Sequence, residues 1–300
     1  MKYVVTGGAG FIGSNIVDLL AKNEHEIIII DNLNTGELER LDNLKGKFEF
    51  YKEDIRNKEK LKIIIKNADG IFHQAALTLV TESFLKKEEY FDVNVSGTKN
   101  LFEIASELQI KIIFASSSSV YGNVKNIPIK ENDKLNPINP YGETKVEKEK
   151  LATYFSKMGL SVIGLRYFNV FGKGQTGTYA GVITQFMRQL SENKSPKIFG
   201  NGSQIRDFIF VKEIAEANLK AMESNCENGF FNVGTGVSVS ILELANLMIK
   251  IYDKKVFPEF DKLPQGDVEK SLADINLIKE KIGWKSKISL EEGLRELIGN

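Results

Sequence analysis

The feature that most constrains the fold of this chain is a glycine-rich segment that directly follows its first apolar run. Residues 3–6 read YVVT, and residues 6–13 read TGGAGFIG, which satisfies both G-x-G-x-x-G and G-x-x-G-x-x-G spacing. Glycines lack a Cβ, so the turn can tighten and its backbone can approach a pyrophosphate, while the following helix offers N–H groups. The sequence therefore predicts a strand, a dinucleotide-binding turn and a helix at the start of a βαβ unit.

Short apolar runs alternate with helix-period segments over the first half of the chain. The runs are rich in Ile, Val and Phe and apolar on both faces, as buried parallel strands are. The alternation predicts an α/β fold with a doubly wound parallel Rossmann sheet. The predicted strands are 3–6, 27–31, 48–51, 70–73, 111–115 and 161–166. The predicted helices lie near 12–22, 57–67, 94–109 and 141–157.

The pattern changes after residue 166, where a Gly- and Thr-rich loop at 172–181 leads into less regular segments. We predict a smaller C-terminal α/β domain that binds substrate. Its segments include a strand at 207–211 and helices near 181–192, 212–223, 240–252 and 274–282. We divide the chain into a Rossmann domain, 1–166 with segments near 207–233 returning to it, and a substrate-binding domain, 167–206 and 234–300.

Composition excludes several classes of protein. Lys plus Arg and Asp plus Glu both number 40, and this formal net charge of zero gives no general attraction to nucleic acid or anionic membranes. No apolar run approaches the roughly 20 residues that span a bilayer. Cys226 is the one cysteine, and His25 and His73 are the two histidines. We therefore expect no disulfide, no metal site and a cytoplasmic location.

Two carboxylates follow the second and third predicted strands. Asp31 stands 24 positions after Gly7 (31 − 7), where a carboxylate accepts bonds from an adenosine ribose and repels a 2′-phosphate. This position predicts NAD rather than NADP as the cofactor. Asp54 has the similar place after the third strand, where it either meets the adenine edge or caps the helix that follows.

A candidate catalytic pair occurs in YGETK, residues 141–145. Tyr141 and Lys145 are four residues apart and therefore share one face of a helix, whose start Pro140 favours. A nearby ammonium and a nicotinamide ring both stabilise tyrosinate, so we expect the Tyr141 pKa to fall from about 10 toward neutrality. Upstream, the serine cluster SSSS at 116–119 follows a predicted strand, where open α/β sheets bind ligands, although a polar turn also suits it.

Together these features resemble the extended short-chain dehydrogenase/reductase family and, within it, the UDP-glucose (UDP-galactose) 4-epimerases. The likeness covers essentially the whole chain. It continues through HQAA at 73–76, NVSGTKN at 94–100, LRYFNVFG at 165–172, GNGSQIRDF at 200–208, GD at 266–267 and AD at 273–274. The resemblance implies an NAD-dependent enzyme that inverts C4 of a UDP-hexose through a transient 4-keto intermediate.

The resemblance also implies residue roles. Tyr141, with Ser117, takes the proton of the sugar 4-hydroxyl as hydride passes to NAD, and Lys145 holds the nicotinamide ribose. Ser117 is preferred among the serines because it lies third before the VYG run at 120–122. The implied cofactor contacts are Gly7, Gly10, Phe11, Ile12, Gly13, Asp31, Asn32, Asn34, Asp54, Ile55, Gln74, Ala75, Ala76, Asn94, Tyr141, Lys145 and Phe168. The implied substrate contacts are Thr78, Ser117, Ser118, Ser119, Tyr141, Asn169, Val182, Lys197, Phe199, Arg206 and Ser271.

Within these sets the resemblance gives particular tasks to a few residues. Asn94 resembles a buried asparagine that supports the active-site helix, whereas His73 is expected to be structural. Arg206 resembles an arginine that pairs with the substrate diphosphate, a bidentate task suited to guanidinium. The strand at 197–199 is expected to carry the uridine.

Three positions depart from the pattern of the relatives. Pro264 stands where many carry a second diphosphate-binding arginine, so affinity would depend more on Arg206. Ser118 and Ser119 stand where the 4,6-dehydratases carry Asp-Glu, which disfavours elimination of water. Ser271 stands where some relatives carry a bulky tyrosine, so N-acetylated sugars are also expected to fit.

Several alternatives stay open at this point. A uronate 4-epimerase would need donors for the substrate carboxylate near Thr178 or the serines. A keto-sugar reductase is disfavoured by Asp31, because such enzymes tend to need NADP. A non-catalytic NAD-binding scaffold is disfavoured by the presence of Ser117, Tyr141 and Lys145 together. The family commonly forms homodimers through a bundle with the Tyr-Lys helix, so we expect a homodimer that binds a UDP-sugar and neither nucleic acid nor membrane.

Overall fold

The computed structural model describes residues 1–44, 46–175, 181–262 and 268–299, and a seven-stranded parallel sheet lies at their centre. The strands in chain order are β1 (Lys2–Thr6), β2 (Glu26–Ile30), β3 (Glu49–Tyr51), β4 (Gly70–His73), β5 (Lys111–Ser117), β6 (Val162–Tyr167), β7 (Asn169–Phe171), β8 (Lys197–Phe199), β9 (Ile205–Arg206), β10 (Phe208–Phe210), β11 (Asn228–Val233), β12 (Val239–Ser240) and β13 (Glu259–Asp261). The helices are α1 (Phe11–Lys22), α2 (Lys58–Ile65), α3 (Val80–Leu85), α4 (Lys87–Phe91), α5 (Gly97–Leu108), α6 (Pro140–Lys157), α7 (Val182–Ser191), α8 (Val211–Glu223), α9 (Ile241–Ile251), α10 (Asn276–Ile282) and α11 (Leu290–Ile298).

The central sheet has the strand order β11-β6-β5-β4-β1-β2-β3, and every neighbouring pair is parallel. At its centre, Thr6 of β1 pairs with Ile30 of β2 on one side and with His73 of β4 on the other. The strand order reverses at β1, and in open parallel sheets ligands bind at such a point, beyond the carboxyl ends of the strands. The predicted doubly wound sheet is confirmed, with β11 as an additional edge strand.

Helices cover both faces of this sheet and enclose two apolar cores. One core contains α1 and α8, with buried side chains such as Ile16 and Ile214. The other contains α2, α5 and α6, with Leu61, Leu101 and Ala152. This arrangement explains why the strands read as continuous apolar runs, since both of their faces are buried.

A third apolar core lies in the C-terminal part of the chain, where α7, α9 and α11 contribute Phe186, Leu244 and Leu294. Two-stranded pairs accompany it: β7 with β10, β8 with β13, and β9 with β12. The sequence-based division placed α10 in the substrate-binding domain, but its side chains Ile278 and Ile282 pack into a core of the Rossmann sheet. The periodicity also failed to predict α3, α4 and α11, the first two of which have only six and five residues. None of the described helices is long and apolar enough to cross a membrane.

Candidate active site

A cavity of about 760 Å³ lies beyond the carboxyl ends of β1, β4 and β5, where the strand order reverses. The three predicted catalytic residues, Ser117, Tyr141 and Lys145, line it together with Thr78. The predicted cofactor residues that line it are Gly7, Gly10, Phe11, Ile12, Gly13, Asp31, Asn32, Asn34, Asp54, Ile55, Gln74, Ala75, Ala76, Tyr141, Lys145 and Phe168. Gly7 and Phe168, which are 161 positions apart in the sequence (168 − 7), therefore line the same cavity.

The glycine turn connects β1 to α1 at one wall of the cavity. Gly7 has φ of +69°, and a Cβ there would lie 2.6 Å from the backbone nitrogen of Ala75. A Cβ on Gly13 would lie 2.0 Å from the Gly7 carbonyl oxygen, so neither position accepts a side chain. No side chain caps the N-terminus of α1 at Gly10, and its first turn contains no acidic residue. The helix therefore presents N–H groups and partial positive charge to the cavity, which suits a pyrophosphate.

Asp31 follows β2 at the adjacent wall and is buried. Its two carboxylate oxygens accept one backbone N–H each, from Ala9 at 3.0 Å and Leu33 at 2.8 Å. Burial raises the Asp31 pKa, and these hydrogen bonds oppose that shift. Each oxygen keeps a free lone pair for a further donor, which fits the hydroxyl groups of an adenosine ribose.

Asp54 lies beyond β3 in the same wall and is held by Arg56. The guanidinium donates through Nε and Nη2 to the two carboxylate oxygens, at 2.9 and 2.8 Å, and Asn32 donates to the carboxylate at 3.1 Å. These bonds, chiefly that with Arg56, lower the Asp54 pKa to about 2. The helix N-cap is Asn57, whose side chain accepts the Lys60 N–H, so the alternative of Asp54 as the N-cap is wrong.

The predicted catalytic helix is α6, and its first turn lies against the serine cluster. Asn139 caps it by accepting the Gly142 N–H at 2.8 Å. Lys145 donates from Nζ to the Ala115 carbonyl at 3.0 Å, and its Nζ lies 5.3 Å from the centre of the Tyr141 ring. Ser117 ends β5, and its side chain forms a hydrogen bond with the Tyr141 phenol.

The electrostatics of this pair differ from the sequence-based expectation. Burial raises the Tyr141 pKa to about 12, and only the hydrogen bond with Ser117 opposes it. Burial also lowers the Lys145 pKa to about 8, against the attraction of Glu149. In the chain without a nicotinamide, burial outweighs the neighbouring ammonium, because burial penalises both charged forms. The expected lowering by the ammonium together with a nicotinamide ring stays a prediction.

Asn94 does not line the cavity, although it was predicted among the cofactor contacts. It is fully buried and accepts the Leu77 N–H at 2.8 Å, while its Nδ2 donates to the Leu77 carbonyl at 2.9 Å and to Thr144 Oγ1 at 3.1 Å. These bonds hold the cavity wall at Leu77 against the helix that carries Tyr141. The side chain therefore supports the active-site helix, as the resemblance implied.

A second buried group behind the cavity was not predicted. His73 contacts Thr6 through Nδ1 at 2.7 Å and Thr98 through Nε2 at 2.8 Å. Lys148, one turn after Lys145 on α6, is also fully buried and places Nζ 3.3 Å from His73 Nε2. Burial lowers the pKa of both side chains well below their ordinary values. Its full burial and its two threonine contacts are consistent with the expected structural role of His73.

Two more polar networks were missed because their members are far apart in the sequence. Gln74 and Tyr167 both line the cavity, and both bond to Asn218 of α8, at 3.1 Å in each case. Glu149 of α6 forms a buried ion pair with Arg166 at 2.7 Å and accepts the hydroxyl of Ser116 at 2.6 Å. The second network fixes the end of β5 against the catalytic helix.

The remaining predicted substrate contacts do not line the cavity. Arg206 donates from Nη1 to the Ile205 carbonyl, Lys197 pairs with Asp261 at 3.2 Å, and Phe199 is 39% exposed. The others outside the lining are Ser118, Ser119, Asn169, Val182 and Ser271. Thr178, Pro264 and the GD pair at 266–267 lie outside the described residues.

Comparison with known proteins agrees with this geometry. The family model of the NAD-dependent epimerase/dehydratase family matches residues 3–234. The chain belongs to this family. The match confirms the resemblance to the extended short-chain dehydrogenases/reductases and NAD as the cofactor. In this member of the epimerase/dehydratase family, the uncapped start of α1 and the Asp31 carboxylate are the groups that fit the pyrophosphate and the adenosine ribose.

Individual relatives match over nearly their whole length. A protein of Methanocaldococcus jannaschii with a provisional assignment as a UDP-glucose 4-epimerase is 40% identical and covers 98% of this chain and 96% of its own. The UDP-glucose 4-epimerase of Thermotoga maritima, solved with UDP-glucose, is 36% identical, with a TM-score of 0.94 over 100% and 98% of the two chains. A UDP-N-acetylglucosamine 4-epimerase of Methanobrevibacter ruminantium, in complex with UDP-N-acetylmuramic acid, is 38% identical, with a TM-score of 0.94 over 99% and 97%. Epimerases of UDP-sugars are thus its relatives, and the prediction of an isomerase is confirmed.

Proposed function

We propose that this protein inverts C4 of a UDP-hexose, with UDP-glucose and UDP-galactose as its substrates. The observation that carries the proposal is the meeting of Ser117, Tyr141 and Lys145 in the cavity that also contains the glycine turn and Asp31. The relatives that match over the whole chain support the choice of a UDP-sugar. The serines at 118 and 119 supply no carboxylate, which favours epimerisation over elimination of water.

In the proposed reaction the protein holds and moves one proton at the Tyr141 oxygen. When bound, NAD supplies a hydride acceptor for C4 of the sugar and a positively charged ring. Ser117 orients the phenol through its hydrogen bond, and Lys145 is placed to bond a ribose hydroxyl while it keeps its bond to the Ala115 carbonyl. Because the two faces of C4 react in turn, the proton that Tyr141 takes in the first half returns in the second, and no net acid or base is consumed.

The substrate-side assignments extend this proposal. Arg206 is proposed to bind the diphosphate, Asn169 to support it, and Lys197 and Phe199 to carry the uridine. Ser271 has a small side chain and is 8% exposed. Because some relatives carry a bulky tyrosine where this chain has Ser271, we include N-acetylated UDP-hexoses among the proposed substrates.

The test is direct. Purified protein, without added NAD, is incubated with UDP-glucose, UDP-galactose, their N-acetyl analogues and UDP-glucuronate, and products are separated by chromatography. We expect interconversion of the first two, and Tyr141→Phe should lower kcat by roughly 10²- to 10⁴-fold while bound NAD stays at the wild-type level. Conversion of UDP-glucuronate alone, or an unchanged kcat in the variant, would contradict the proposal.

We also propose a homodimer built on the face that contains α3 and α6. These helices contact one another and present Phe84, Leu85, Tyr154 and Met158, which are 58–87% exposed. Exposed large apolar side chains are typical of subunit interfaces. Sedimentation should give twice the 33.7 kDa chain mass, whereas a monomer at micromolar concentration would contradict this part of the proposal.

A further inference from the structure

Asp207 is a buried carboxylate whose surroundings the proposed chemistry does not use. It lies between β9 and β10, directly after Arg206, and has no exposed surface. It does not line the cavity. A carboxylate in such a place costs free energy unless hydrogen bonds satisfy it. The donors around it therefore indicate what it holds together.

Four donors surround the Asp207 carboxylate. Oδ1 accepts the backbone N–H of Thr235 at 2.8 Å and the hydroxyl of Thr235 at 2.7 Å. Oδ2 accepts the backbone N–H groups of Gly236 at 3.0 Å and Ala273 at 3.2 Å. A Cβ at Gly234 would lie 2.6 Å from the same oxygen, so the loop after β11 packs directly against it. The carboxylate thus joins this loop to the segment before α10.

The main chain beside Asp207 makes a third connection. Its carbonyl accepts the backbone N–H of Asn169 at 3.0 Å and the Asn169 Nδ2 at 3.3 Å. Ser271 donates its N–H to the carbonyl of Ile205 at 3.0 Å. Asn169, Arg206 and Ser271, three of the residues assigned to the substrate, are therefore each one or two contacts away from Asp207.

We propose that Asp207 is a positioning residue for substrate binding. Its carboxylate ties the loop at 234–236 and the segment at 271–274 to the β9–β10 connection, and this fixes Arg206, Asn169 and Ser271 relative to one another. The inference rests on the proposed function, which assigns those three residues to the UDP-sugar. Asp207 itself touches neither the substrate nor the reacting atoms.

The substitution Asp207→Asn tests the role with little change in volume. An amide has one acceptor oxygen, so its NH₂ group would face N–H donors and leave them unsatisfied. We expect the KM for the UDP-hexose and the Kd for UDP, measured by calorimetry, to rise roughly 10- to 100-fold. The kcat should stay within about threefold, because Ser117 and Tyr141 lie on other elements, and NAD released by acid should match the wild type.

Two further variants separate positioning from general support of the fold. Thr235→Val removes the hydroxyl that donates to Asp207 and accepts the Val237 N–H, and it keeps the three backbone bonds to Asp207. It should raise the UDP Kd by roughly 2- to 10-fold. Glu213→Gln is the matched control, since Glu213 is a buried carboxylate whose oxygen accepts the Lys287 N–H instead of a donor from the segments at 234–236 or 271–274. It should leave the UDP Kd unchanged.

The outcomes are distinct. If Asp207→Asn and Thr235→Val bind UDP as tightly as the wild type does, the positioning role of Asp207 is overturned, whereas the proposed function is not contradicted. If Asp207→Asn lowers kcat and bound NAD as much as it raises KM, the residue supports the whole fold and the positioning role is also overturned. A wild-type protein that does not bind UDP contradicts the proposed function, and the inference with it.

Discussion

Replacing Lys148 by methionine should make the protein more stable. Lys148 is fully buried on α6. Among the described residues its amine has one polar contact, with His73 Nε2 at 3.3 Å, and Nζ lies 5.5 Å from the centre of the Phe114 ring. Methionine has a similar length, is unbranched and is apolar. Removal of a poorly satisfied buried polar group recovers about 1–3 kcal/mol. For a chain of this size that corresponds to a rise in Tm of roughly 2–4 °C per kcal/mol.

The gain should depend on pH with a defined sign. Burial, and then the nearby Lys145, lower the Lys148 pKa well below its ordinary value, whereas an unfolded lysine binds its proton below about pH 10.4. Below that pH the unfolded state holds a proton that the folded state lacks, so the free energy of unfolding of the wild type falls as the pH falls. The advantage of Lys148→Met should therefore be smallest near pH 10 and grow toward pH 7. Between these limits His73, which also faces Lys148, does not charge in either protein, because burial lowers its pKa below 6.5.

Urea unfolding of both proteins at saturating NAD, from pH 7 to 10, measures this. Lys157→Met is the control, because Lys157 is exposed at the C-terminal end of the same helix. Its free energy of unfolding should fall by about 0.5–1 kcal/mol at most, because a positive charge near the helix C-terminus is lost. Its stability relative to the wild type should not increase from pH 10 to pH 7. A Lys148→Met protein that is less stable than the wild type at pH 7, or a difference that does not change with pH, would refute the reasoning.

Two further predictions concern activity. Burial lowers the Lys145 pKa to about 8, so kcat/KM should decline as the pH rises through this value and the ammonium loses its proton. Lys145→Arg keeps its charge, so its kcat/KM should show no such decline. Equal pH profiles of kcat/KM for the two proteins would contradict this prediction. Ser271→Tyr should lower kcat/KM for UDP-N-acetylglucosamine at least about 10-fold and for UDP-glucose less than about threefold, because a bulky ring would fill the space for the N-acetyl group. Equal losses on both sugars would show that Ser271 does not set the size of the site.

The sequence was sufficient for the elements that repeat a local pattern. Six strands of the central sheet, β1 to β6, were predicted within about two residues from their short apolar runs, whereas the edge strand β11 was not predicted. The catalytic helix was predicted from Pro140, and the structure adds Asn139 as its cap. In each case the signal is contained in fewer than 20 consecutive residues.

The missed features depend on contacts between distant residues. Gln74 and Asn218 are 144 positions apart, Lys148 and His73 are 75 apart, and Asp207 reaches Ala273 across 66 positions. No periodicity relates such pairs, and a lysine at 148 reads as a solvated helix residue until the sheet covers it. The short strands β9 and β12 have two residues each, too few to show an alternation.

The pKa of Tyr141 shows most clearly why local pattern and chemistry diverge. The spacing of Tyr141 and Lys145 on one helix face is what the sequence predicted. The structure adds that the ammonium donates a hydrogen bond to the Ala115 carbonyl and lies 5.3 Å from the centre of the Tyr141 ring. Burial, which no spacing reveals, then decides both shifts and keeps the phenol protonated. A nicotinamide ring bound beside the phenol would supply positive charge, which favours tyrosinate and lowers this pKa. In the proposed reaction the Tyr141 base therefore depends on the cofactor site with its glycine turn and Asp31 as well as on the Tyr-Lys spacing.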